Sequence, residues 1–153
     1  MNFADYLNHQ KSEDRRAFII HYPPCSGKTH FARQVTKTRP DIYYLDLLDY
    51  CLTHPEFPAI AQFDFNALRN LLLSLDVSQP VILIDHPDFL FNTWSANEKQ
   101  LLLHWLRVGL RSPTDTEKTF IFIIQDDDVL AAADFRNAYG EPRVLALNSF
   151  EAV

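Results

Sequence analysis

The chain is 153 residues long, which gives room for one domain with a sizeable core but not for two. Apolar residues make up 47% and charged residues 22%, a globular balance that excludes a disordered tail or a bundle of membrane spans. A formal net charge of −6 excludes a broad nucleic-acid footprint, leaving only a local basic patch such as Arg15–Arg16 or Lys37 with Arg39.

In chain order, Phe3, Tyr6 and Leu7 recur at helical spacing and predict a short polar helix over residues 2–13, within an N-terminal extension of residues 1–16. Residues 17–22 read as a buried strand ended by Pro23 and Pro24. Residues 27–38 read as a helix that stops before Arg39-Pro40, because proline disfavours the α conformation of its neighbour. Residues 42–45 form a second strand, Pro55 and Pro58 break the next stretch, and a helical pattern resumes over residues 65–75. A third strand, residues 81–84, ends at Asp85. Residues 97–110 predict an amphipathic helix with Leu101, Leu102, Trp105 and Val108 on one face, capped by Ser95 or Asn97. Residues 120–124 are continuously apolar, the mark of a strand buried on both faces. A helix over 129–139 and a short strand over 143–147 complete the chain. Strands alternating with helices imply right-handed crossovers and a parallel sheet covered on both sides, a single three-layer α/β domain.

The apolar runs are too short to cross a bilayer, and the N-terminus lacks the basic start and apolar stretch of a secretory signal, so a cytoplasmic protein is expected. Cys25 and Cys51 are expected as reduced thiols. The histidines show no H-x-x-x-H helix pair, so zinc is not expected.

Chemistry concentrates between the first strand and the first helix, where residues 22–29 read Tyr-Pro-Pro-Cys-Ser-Gly-Lys-Thr. The phosphate-loop pattern is G-x-x-x-x-G-K-[ST] in that context, with Tyr22 replacing the first glycine. Successive backbone N–H groups ending on a helix N-terminus make a concave anion site. Pro23 and Pro24, which cannot donate, precede the donating stretch. The phosphate-binding set is therefore Cys25, Ser26, Gly27, Lys28, Thr29 and His30, with Lys28 on the β/γ-phosphates of ATP and the Thr29 hydroxyl on Mg²⁺. Asp85, at a strand tip, is the candidate magnesium carboxylate. Against these stand a surface turn that merely contains Gly-Lys-Thr, and Asp85 as a simple cap; Asp126 competes for the metal role.

The Pro-Pro pair and the Gly-Lys-Thr ending resemble the G-P-P-G-T-G-K-T loop of AAA+ ATPases, with Tyr22, Cys25 and Ser26 as departures. The resemblance covers most of the chain. It implies a P-loop NTPase fold with a five-stranded parallel sheet in the order 5-1-4-3-2, here without a helical lid. It implies that Gln125 acts as the polar sensor of the γ-phosphate and that Arg136, or alternatively Arg143, acts as an arginine finger toward a neighbouring subunit. The family's water-orienting glutamate is replaced by His86, with Asp88 two residues on. Size, degenerate loop and element order together are similar to the small P-loop proteins of bacterial BREX phage-defence systems (BrxF type). That likeness implies a homo-oligomer or a complex with larger ATPase and DNA methyltransferase components.

Two other readings stay open. A small-molecule kinase would use Asp46 or Asp49, which otherwise cap a following helix, and a non-enzymatic adaptor would keep the loop as scaffold. Cys25 is either a reactive thiol at a helix start or a passive small side chain, and the Phe/Leu-rich turn from His86 to Trp94 is either a subunit contact or core.

Overall fold

The computed structural model describes residues 1–23, 28–56 and 59–151, with Lys28, Thr29 and Ile60 described by their backbone alone. Five strands, β1 (Phe18–Tyr22), β2 (Ile42–Asp46), β3 (Val81–Asp85), β4 (Thr119–Gln125) and β5 (Val144–Ala146), pair in parallel in the order β2-β3-β4-β1-β5. This is the implied order 5-1-4-3-2, counted from the other edge. β4 sits at the centre, and six of its seven residues are buried, as its unbroken apolar run requires.

Side chains alternate across each strand, so each strand feeds both faces of the sheet. On one face, Phe18, Ile20, Val81, Leu83, Ile121 and Ile123 pack against α1 (Phe3–Lys11) and α2 (Lys28–Thr38). On the other, Ile19, Ile82, Ile84, Phe120 and Phe122 pack against α4 (Phe65–Leu73) and α6 (Ala96–Val108). Two shorter helices follow strand tips: α3 (Leu47–Thr53) after β2 and α5 (Asp88–Phe91) after β3. Asn2, Asp46, Asp64 and Ser95 cap α1, α3, α4 and α6 by accepting backbone N–H bonds. Among the described residues no helix is long and apolar enough to cross a membrane.

Several expectations are corrected. The N-terminal helix is an integral layer: Phe3, Tyr6 and Leu7 enter the core, and the fully buried Gln10 side chain binds Arg16 O while accepting from the Asn137 amide. The buried face of α6 is Leu102, Leu103 and Leu106, and Leu101 and Val108 point outward at 47% and 41% exposure. Packing against α4 and the sheet selects among overlapping apolar stripes that periodicity alone leaves equivalent.

The helix over 129–139 is absent. Asp127 Oδ1 accepts from the N–H groups of Val129 and Leu130, and Ala131 N closes one turn on Asp127 O before the chain straightens. Asn137, Gly140 at φ 77° and Pro142 then bend it back, with the Asn137 side-chain oxygen accepting from the N–H groups of Tyr139 and Glu141. Local side-chain bonds have outcompeted the helix ladder. The turn from His86 to Trp94 is core: Leu90, Phe91 and Trp94 are buried, and the Trp94 indole donates to Phe63 O at 2.8 Å.

Where α2 hands over to β2, Arg39 grips Asp41 through two bonds of 3.0 and 2.9 Å and holds that carboxyl down at about 2. A depressed carboxylate stabilises the fold above its unfolded value of about 4, and that stability is lost as pH falls through its folded value. Arg39→Met is therefore expected to be less stable than wild type at pH 6, with the gap narrowing toward pH 2 in urea titrations. An equal gap at both pH values would contradict this.

Candidate functional site

β1 runs up into the loop and α2 runs back down, so the positive end of α2 lies at the edge where the strands end. Cys25, Ser26 and Gly27 lie outside the described residues. Lys28 and Thr29 are described as the first two backbone positions of α2, and His30 follows them exposed.

Strand parity decides what shares that corner. Tyr22 packs on the face α2 covers, and Gln125 pairs with it in register. Asp85 continues the phase of Val81 and Leu83, which face α2. Asp46 pairs with Asp85 and continues the phase of Ile42 and Tyr44 on the same face. Four strand tips thus set Asp46, Asp85, Gln125 and Tyr22 in a row on the α2 side of one edge.

Asp85 is fully buried, which is unusual for a carboxylate unless its oxygens are satisfied. The Tyr44 hydroxyl donates to Oδ2 at 2.5 Å, and His86 N donates to Oδ1 at 2.9 Å. Burial, reinforced by the bond to Asp85, pushes the Tyr44 phenol well above its ordinary value, so it stays a donor. His86 takes a left-handed backbone, φ 58°, which brings its Nε2 to 3.4 Å from Asp85 Oδ2 and 3.9 Å from Asp46 Oδ2. Non-glycine residues held there commonly cluster at functional positions.

The tips of β3 and β4 are locked together. Asp88 Oδ1 accepts from Gln125 N at 2.8 Å, so Asp88 holds the backbone of the sensor candidate. Asp126 is paired with His21 at 2.8 Å on the other face and stands apart from Asp85. A cavity of about 450 Å³ opens there, at the tips of β1 and β5, lined by His21, Pro23, Asp126, Leu147 and Asn148.

Arg136 lies elsewhere. Its backbone bridges Pro142 just before β5 begins, and its neighbours Asn137 and Ala138 bond to Gln10 and Glu13 beside α1. This is the edge where strands start, opposite the Asp85 edge, and among the described residues the half-exposed side chain reaches Gly140 O and Asp134. Arg143 is only 3% exposed: it donates to Ala17 O and Leu106 O and lies 4.8 Å over the Phe135 ring. A side chain so placed holds its own subunit together and cannot serve as a finger. Asp46 Oδ1 caps α3 by accepting from Asp49 N, the structural role open to it from sequence. Cys51 is half-buried, and burial raises its thiol, which keeps it unreactive.

Among the described residues no group of three His, Cys, Asp or Glu could hold a metal ion unaided. Asp85 offers a hard, buried carboxylate oriented by hydrogen bonds. Sequence reasoning missed Tyr44; a tyrosine inside an apolar strand reads as core, and only the register reveals that it points at Asp85. It noted Asp88 beside His86 but not its bond to Gln125 N. Comparison with family models, with curated proteins and with solved structures finds no match to the chain in any of the three.

Proposed function

We propose that this chain is an ATP-binding, AAA+-like P-loop subunit, cytoplasmic and part of a bacterial phage-defence assembly of the BREX type, in which ATP controls oligomerisation or docking. The observation that carries the reading is the buried, hydrogen-bonded Asp85 on the same edge and face as the start of α2. Lys28 would neutralise the β/γ-phosphates, and Thr29 with Asp85 would hold Mg²⁺, which supplies charge neutralisation and geometry for phosphoryl chemistry. The cavity beside Pro23 is of a size suited to the nucleoside end.

Hydrolysis in this reading is weak or completed by a partner. His86 stands where the family has a glutamate, and neutral imidazole is a poorer water-orienting group than a carboxylate. Gln125, held by Asp88, is the γ-phosphate sensor. Arg136, on the far edge, serves only a neighbouring subunit's site, where an arginine can add ~10³ to 10⁵ in rate. Partners are further copies of the chain or larger ATPase and methyltransferase components. Any DNA contact goes through a local basic patch.

The test is ATP affinity with Mg²⁺ for wild type and Lys28→Ala, with solution mass recorded with and without nucleotide. Wild type is expected to bind and change its assembled state. Lys28→Ala, lacking the cation at the phosphates, is expected to bind at least about tenfold more weakly and to stay in the nucleotide-free state. Absence of wild-type binding at millimolar ATP would leave the adaptor reading instead.

A further inference from the structure

β2 pairs with β3 on one side only, and its other side is an outer edge of the sheet. In a parallel pair, alternate residues turn both backbone groups toward the neighbouring strand. Asp41 O accepts from Val81 N, so Asp41, Tyr43 and Leu45 turn toward β3 while Ile42, Tyr44 and Asp46 turn outward. One group at each end of the outward set is used within the chain: Ile42 N donates to Arg39 O at 3.1 Å, and the Asp46 carbonyl opens the first turn of α3. The remaining outward groups, Ile42 O, Tyr44 N–H, Tyr44 O and Asp46 N–H, have no partner among the described residues. Such an edge is a template for another strand unless charge, proline, a bulge or a covering segment blunts it. The opposite edge is blunted by length, since β5 has three residues. β2 has five residues, carries no proline or charge before Asp46, and keeps its register with β3 unbroken.

We propose that the outer edge of β2 is the contact between two copies of this chain, paired antiparallel about a twofold axis at Tyr44. Tyr44 N–H of each copy then donates to Tyr44 O of the other, and Asp46 N–H of each donates to Ile42 O of the other. The groups left open on the edge are the complete set that this pairing uses. The Ile42 N–H and Asp46 O that a longer ladder would also take are already satisfied within each chain. Charge agrees with the antiparallel sense. The starting end of β2 carries Lys11 and Arg39 gathered around Asp41, and its far end carries Asp46 and Asp49. Antiparallel pairing sets each basic end beside the other copy's acidic end, whereas parallel pairing sets like beside like. The result is one continuous sheet across both copies, and none of it depends on nucleotide binding.

The experiment is run without nucleotide. Solution mass is followed by sedimentation from about 10 µM to about 1 mM, with amide hydrogen exchange read by NMR across the same range. Wild type is expected to move from the mass of one chain toward that of two, and the Tyr44 and Asp46 amides are expected to slow in step as the monomer is consumed. Tyr44→Pro is compared with Tyr44→Ala. Both lose the ring and its bond to Asp85, and only proline lacks the N–H, which faces away from β3 and so costs the chain no ladder bond of its own. Tyr44→Pro is expected to dimerise at least about tenfold more weakly than Tyr44→Ala. Wild type that keeps the mass of one chain up to about 1 mM overturns the proposal. So does a dimer whose Tyr44 and Asp46 amides exchange as fast as in the monomer, or equal dimerisation of the two variants. Should Tyr44→Pro not fold, amide exchange in wild type decides. Each of these failures leaves the nucleotide reading standing, because that reading is tested by Lys28→Ala.

Discussion

Arg143→Met is expected to lower the free energy of unfolding by about 3 kcal/mol, read as a lower urea midpoint at unchanged slope. The guanidinium ties Ala17, just before β1, to Leu106 near the end of α6, through three bonds of 2.6 to 3.0 Å. Removing it strands two buried carbonyls, each costing about 1–3 kcal/mol, and deletes its stacking over Phe135. An opposing effect is relief of burial, which pushes the Arg143 guanidinium down to about 10; methionine carries no charge to desolvate. At neutral pH the arginine is still protonated, and the strong charged bonds outweigh the relief. A loss smaller than about 1 kcal/mol would show that burial and bonding cancel.

Asp85→Asn is expected to weaken Mg·ATP about 100-fold, close to 3 kcal/mol, while ATP affinity in EDTA changes little. The substitution keeps the volume but removes the charge that, in the proposed site, would attract the cation. It also swaps one acceptor oxygen for an amide donor facing either the Tyr44 hydroxyl or His86 N, both of which donate. Stability is therefore expected to fall as well, which is why the Mg²⁺ to EDTA ratio, rather than affinity alone, is the decisive reading. Equal affinity for Mg·ATP in wild type and variant would remove Asp85 from the metal site.

The sheet was legible because its strands are short apolar runs bounded by turn residues. β4 announced its central place by having no polar residue between Thr119 and Gln125. The segment after it was illegible for a specific reason: alanines and apolar residues at 129–135 favour a helix locally, yet Asp127, Asn137 and Pro142 redirect the backbone through bonds whose geometry no periodicity encodes. At the site, Asp85 could be found from its place at a strand tip. Tyr44 could not, because a bond between neighbouring strands depends on register. Arg143 was misjudged for a related reason: an arginine before a strand looks like surface until packing turns it inward.

The twist at His86 constrains how this site could be altered. Histidine and asparagine tolerate a left-handed backbone more readily than longer unbranched acids do. Installing glutamate there, to mimic the acid of vigorous ATPases, would set the new side chain against the very torsion that hands an amide to Asp85. Gaining an acid there and keeping the Asp85 carboxylate fixed are therefore coupled demands on one peptide unit, and a single exchange does not meet both.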